Sequence, residues 1–131
     1  MKVLVDTSVW VSHFQKGEPG LVNLLQADRV LLHPLVRIEL ACGTPPQRQR
    51  TLQLLSLLQV PSTATTPELL LLIERERLHG QGCGAVDLGL LASTLLSPGT
   101  RLWTLDKRLK AVAERRGVAY RPASDPSQGL H

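Results

Sequence analysis

Two short apolar runs in this chain, Val3-Leu4-Val5 and Leu102-Trp103-Thr104-Leu105, each end on an aspartate followed at once by a helical pattern. An apolar run without strict alternation marks a strand buried on both faces. Such strands occur in sheets whose connections are helices. Strand and helix patterns alternate along the rest of the chain, so the fold class predicted is α/β: one domain, a central parallel β-sheet flanked by α-helices.

The pass along the sequence places strands at 2–6, 30–32 and 100–104, with a weak strand signal at 60–61 and a short last one at 118–120. Helices are expected over 8–15, 21–26, from Pro34 past Glu39 to the break at Gly43-Thr44-Pro45-Pro46, and over 47–58, 67–79, 87–96 and 107–116. Pro34 and Pro67 suit first helical turns, because proline's missing N–H is not needed there. Gly117 suits the end of the last helix. Residues 17–20 and 80–84 read as loops on their glycines and proline. The globular unit is expected to span 1–121. The Pro- and Ser-rich segment 122–131 reads as a loose tail.

At 131 residues and 43% hydrophobic the chain can bury a core without disulfide staples. Cys42 and Cys83 lack a metal or redox spacing and read as free thiols of a cytoplasmic protein. The opening apolar stretch is short for a signal peptide, and the run 69–73 is far below membrane-spanning length. Fifteen basic against 11 acidic residues give a net charge of +4. That balance favours a polyanionic partner, although many small basic proteins bind no nucleic acid.

Four acids stand in otherwise apolar surroundings: Asp6, Glu39, Asp87 and Asp106. Each aspartate, taken singly, fits a helix N-cap. Glu39 fits a solvent-facing helical position. Taken together they fit a second reading. Asp6 and Asp106 fall at strand C-termini, where parallel α/β sheets build their functional crevice. Converging carboxylates repel one another unless a cation lies among them, and hard cations such as Mg²⁺ or Mn²⁺ take oxygen ligands. That combination points to metal-assisted phosphodiester chemistry. The four histidines show neither metal-ligand spacing nor an adjacent nucleophile.

The chain resembles the PIN-domain ribonucleases of the VapC toxin type, found in bacterial toxin–antitoxin pairs. The residues that carry the resemblance are Val5-Asp6-Thr7-Ser8-Val9-Trp10, Glu39 with Gly43, Gly84-Ala85-Val86-Asp87 with Leu91-Ala92, and Leu102-Trp103-Thr104-Leu105-Asp106. Each motif alone is weak, but the four in this order span nearly the whole chain. The resemblance implies a PIN-like domain, RNA cleavage dependent on Mg²⁺ (or Mn²⁺), and 5′-phosphate and 3′-hydroxyl products. It makes Asp6, Glu39, Asp87 and Asp106 the catalytic, metal-binding acids, with Thr7, Ser8 and Thr104 in support. It also implies a VapB-type antitoxin as partner, an RNA substrate and a homodimer. Arg37, Lys107 and Arg108 are candidate contacts to the RNA backbone.

Leu109 stands where many relatives have Phe. Lys107 follows Asp106 with no further acid close behind, which implies a second metal held weakly or brought with substrate. The alternative function is a non-catalytic PIN-fold module that binds RNA or protein. A phosphoryl-transfer protein with its acceptor at Asp6 is a further rival. Against it, Ser8 stands where the haloacid dehalogenase pattern needs a second aspartate, and the paired acids and late lysine of a receiver are not evident.

Overall fold

The computed structural model describes residues 1–122. The expected tail lies outside the described residues apart from Pro122. The elements run β1 (Lys2–Val5), α1 (Thr7–Lys16), α2 (Pro19–Gln26), β2 (Val30–Leu31), α3 (Pro34–Cys42), α4 (Arg48–Leu55), α5 (Thr66–Glu76), α6 (Ala85–Leu96), β3 (Thr100–Trp103) and α7 (Lys107–Arg115).

The three strands form one parallel sheet in the order β2-β1-β3. Val3 and Leu4 pair with Val30 and Leu31 on one side, and Lys2 through Val5 pair with Thr100 through Trp103 on the other. Single parallel bridges extend each edge, Leu31 to Gln59 and Leu102 to Ala119. The last expected strand is therefore one bridge long, and the weak signal at 60–61 sits one residue late. Val3, Leu4 and Val5 are wholly buried, as a central parallel strand covered on both faces requires.

Helix boundaries depart from expectation where local chemistry overrides periodicity. Pro19 and Gly20, expected in a loop, form the first turn of α2, with proline in the position that lacks a helical N–H partner. The fourth helix is shorter at both ends, starting after Gln47 in the left-handed region (φ 47°). It stops at Leu55, and the chain then turns to bring Gln59 to the sheet edge. Helix α5 opens on a capping box, with Glu68 N–H bonded to Thr65 Oγ1 at 3.2 Å and Thr65 N–H to Glu68 Oε1 at 2.9 Å. It closes at Arg77 in the left-handed conformation.

Helix α6 begins at Ala85, two residues earlier than its pattern suggested, with Gly84 as N-cap. Its residues Leu88 through Thr94 are all buried, so it is apolar on every side because it packs on every side. The buried Thr94 hydroxyl is satisfied within the helix by Leu90 O at 2.8 Å. Trp10 and Trp103 belong to the core and Phe14 packs against it. No described helix is long and apolar enough to cross a membrane.

The chain leaves β1 toward β2 on one side of the sheet and later returns to β3 on the other. The order of the sheet therefore reverses at β1. In open α/β sheets a crevice opens at the carboxyl ends of the strands at such a point. Asp6 directly follows β1, and Thr104 directly follows β3.

Candidate active site

Asp6 is 6% exposed and stands at the N-terminus of α1, yet it makes no side-chain cap there. Its Oδ2 instead accepts two hydroxyl hydrogen bonds, from Ser8 Oγ at 2.7 Å and from Thr104 Oγ1 at 2.7 Å. Each hydroxyl has one proton to give. Each also accepts a backbone N–H, Ser8 Oγ from Leu105 at 3.0 Å and Thr104 Oγ1 from Asp106 at 3.0 Å. Backbone donors thus occupy the hydroxyl lone pairs and turn both O–H groups onto Asp6. The network fixes Oδ2 as a double acceptor and leaves Oδ1 for other partners. Asp6 occupies the N-cap position without a side-chain cap, and Ser8 and Thr104 both hold its carboxylate.

Asp106 is a true N-cap. Its Oδ1 accepts from the backbone N–H of Arg108 and of Leu109, both at 3.0 Å. Capping uses one oxygen and aims the carboxylate, and the other oxygen stays available. Capping therefore does not exclude the other reading of Asp106. Glu39 is exposed on α3, and Thr7 Oγ1 donates to its Oε1 at 2.6 Å, tying α3 to the start of α1. Asp87 lies in the first turn of α6, not at its cap.

The charges of the other three acids all reach Asp87. The Asp87 carboxyl is pushed above the usual carboxylate range first by burial and then by Asp6, with Asp106 and Glu39 adding to the rise. The Gly84 backbone pulls it part of the way back. Among the described residues no three His, Cys, Asp or Glu side chains stand close enough to hold a metal ion as placed. The acids are an electrostatic cluster rather than a preformed cage. That suits Mg²⁺, which keeps several waters and is bound through one or two carboxylates together with substrate phosphate. The donor set is all oxygen, as hard cations require. Cys83, the one thiol nearby, has its pKa raised by burial and by Asp87 and Asp106, so it stays a protonated, poor ligand at neutral pH.

The basic candidates divide. Lys107 and Arg108 are exposed in the first turn of α7, directly after Asp106. Arg37, in contrast, lines the groove between α3 and α4 with Leu52, Gln53 and Ser56. It lies two residues from Glu39, about 200° around a helix, so the two side chains leave α3 on opposite sides. The structure does not bring Arg37 to the acids.

Two features escaped the sequence. His33 is the N-cap of α3, its Nδ1 accepting from Leu35 N–H at 3.0 Å, and burial pushes its pKa down. Histidine is not among the usual caps, so only its place before Pro34 hinted at this. The glycine-rich segment before α6 read simply as a loop, but it carries Gly82 against Arg108 of α7 and Cys83 within reach of the charges of Asp87 and Asp106. A cleft of about 250 Å³ lined by Thr7, Phe14, Glu39, Gly43 and Pro45 opens next to Glu39.

A family model for the PIN domain matches residues 3–115. Ribonuclease VapC32 of Mycobacterium tuberculosis, found alike in two strains, is 50% identical over 117 residues, covering 89% of this chain and 94% of that protein. Among solved structures, VapBC-1 from nontypeable Haemophilus influenzae aligns over 93% of this chain and 98% of that one, with a TM-score of 0.62 at 16% identity. At that identity the likeness is one of fold.

Proposed function

We propose, from the premise that this chain belongs to the PIN-domain family, that it is a Mg²⁺- or Mn²⁺-dependent endoribonuclease of the VapC type. On this reading it is the toxin of a toxin–antitoxin pair and works in the cytoplasm, with a VapB-type antitoxin as partner and a homodimer as its assembly. The likeness to a ribonuclease over 89% of the chain supports the activity. The fold shared with VapBC-1 is consistent with the partner. The observation that carries the reading is the placement of the buried Asp6, at the switch point of the sheet, inside the electrostatic reach of the half-buried Asp87.

Asp6, Asp87, Asp106 and Glu39 would hold the metal. Bound there, Mg²⁺ or Mn²⁺ supplies Lewis acidity and neutralises charge developing on the scissile phosphate. The chain's own groups do the rest. Ser8 and Thr104 hold Asp6 in one orientation through Oδ2. The α7 backbone holds Asp106 through Oδ1. Thr7 holds Glu39. Asp87 or Asp6 would accept the proton of the attacking water.

All four acids stand in the sequence, which argues against the non-catalytic binding module. The test is cleavage of total RNA by the purified chain in Mg²⁺ or Mn²⁺ and in EDTA, beside Asp6→Asn. Cutting that needs metal and is lost in the variant is the expected result. Equal cutting by Asp6→Asn, or none under either metal, would overturn the proposal.

A further inference from the structure

Gly82 has a φ of +82°, and a Cβ built on it would stand 2.5 Å from Arg108 Cδ, 2.7 Å from Nη1 and 2.9 Å from Nε. The Arg108 side chain therefore lies flat in the space that any other residue at 82 would fill. The backbone conformation independently favours glycine. The loop ahead of α6 and the first turn of α7 meet at this contact, and each carries one of the acids, Asp87 on α6 and Asp106 just before α7.

The neighbouring arginines at this end of the molecule are engaged. Arg115 Nη2 donates to Gln81 Oε1 at 2.5 Å, Arg116 pairs with Glu76 at 3.1 Å, and Arg121 pairs with Glu114 at 2.7 Å. Arg101 donates to Gly117 O. The Arg108 guanidinium has no ion pair or side-chain hydrogen bond to any described residue, although it is exposed beside acids. Its charge is felt at Cys83, where the charges of Asp87 and Asp106 are felt too. A cation held by packing next to carboxylates, yet paired with none of them, has its donors available to an incoming anion.

We propose that Arg108, seated on the Gly82 shelf, is a substrate-positioning residue that grips a backbone phosphate of the RNA next to the scissile one. This rests on the ribonuclease reading. A guanidinium offers a planar fork that matches two phosphate oxygens, and a side chain already laid in place loses less freedom on binding. Gly82 is then a specificity-independent part of the binding surface, acting through the arginine it supports.

The experiment measures apparent KM and kcat on total RNA for the wild-type chain, Arg108→Met, Arg108→Lys, Gly82→Ala and the double variant Gly82→Ala/Arg108→Met. Methionine keeps an apolar stem on the glycine and removes only the charged fork. Arg108→Met is expected to raise KM about tenfold with kcat nearly unchanged, as loss of a charge-assisted contact requires. Arg108→Lys recovers part of that loss. Gly82→Ala raises KM in the same direction, and adds nothing once Arg108 is Met. In an Asp6→Asn background, binding of bulk tRNA across a KCl series should lose about one unit of salt slope on Arg108→Met. Wild-type kinetics in Arg108→Met, or a Gly82→Ala effect that persists undiminished in the double variant, would overturn this inference alone. Failure of the wild-type chain to cut RNA would overturn the ribonuclease reading and this inference with it.

Discussion

Thr104→Val isolates the hydroxyl network that holds Asp6. Valine keeps the shape of the buried side chain and removes two hydrogen bonds, the donation to Asp6 Oδ2 at 2.7 Å and the acceptance from Asp106 N–H at 3.0 Å. A bond to a charged acceptor contributes about 1.5–3 kcal/mol and a neutral one about 0.5–1.5 kcal/mol. The half-exposed surroundings of Asp106 let water replace part of the second. The expected loss is roughly 2–4 kcal/mol, a large share of the ~5–15 kcal/mol typical of a domain. Urea unfolding followed by tryptophan fluorescence reads this directly, since Trp10 and Trp103 are both buried. The midpoint should fall by about 1–2 M with the slope unchanged. Ser8 donates to the same oxygen, so Ser8→Ala and Thr104→Val should couple rather than add. Cleavage should drop by about a hundredfold as Asp6 loses its orientation. A Thr104→Val protein within about 0.5 kcal/mol of wild type, additive with Ser8→Ala, would refute the reasoning.

Three further outcomes follow from the same geometry. The folded chain binds the Asp87 proton more tightly than the unfolded chain does, so that contribution to stability is full below the ordinary carboxyl value and is lost as pH rises through the raised one. In EDTA at neutral pH, Asp87→Asn should melt above wild type, and a lower Tm would contradict the crowding of acids. His33 has the opposite sign: its pKa is depressed by burial, so its contribution is present above the ordinary imidazole value and is lost as pH falls through the lowered one. Protonation also removes the Nδ1 acceptor that caps α3, so His33→Asn should flatten the fall in stability as pH drops below the ordinary imidazole value. Gly89→Ala should stabilise by about 1 kcal/mol, because a Cβ there meets only Leu35 Cδ1 at an ordinary 3.6 Å. Destabilisation seen by urea titration would show that α6 needs the glycine for packing.

The parallel sheet was legible because Val3-Leu4-Val5 and Leu102-Trp103 are apolar and buried, although β1 also holds Lys2 and β3 the exposed Arg101. Boundaries were less so. Pro19 and Gly20 carry loop chemistry and sit in a helix, while Arg77 carries helix chemistry and ends one. In each case a cap conformation set by neighbours outweighs the propensity of the residue itself. The sheet edges at Gln59 and Ala119 are single bridges, and one residue has no periodicity to read.

The acids were legible as positions but not as roles. Cap and site were competing explanations for each aspartate, and the three resolve differently. Asp6 is no cap because two hydroxyls claim its Oδ2, and one of them comes from a residue 98 positions away. Asp106 is a cap, through Oδ1 alone. Asp87 lies half-buried in the first turn of its helix, and what distinguishes it is the company of the other three charges. A helix N-terminus at the carboxyl edge of a sheet favours negative charge whatever its use. The local pattern around an acid is therefore the same for a cap and for a ligand. The contacts that tell them apart here, Thr104 to Asp6 and Thr7 to Glu39, join residues distant in the chain, and Arg37 shows the converse. It sits two residues from Glu39 in sequence and on the other side of the helix in space, a separation that nearness along the chain does not reveal.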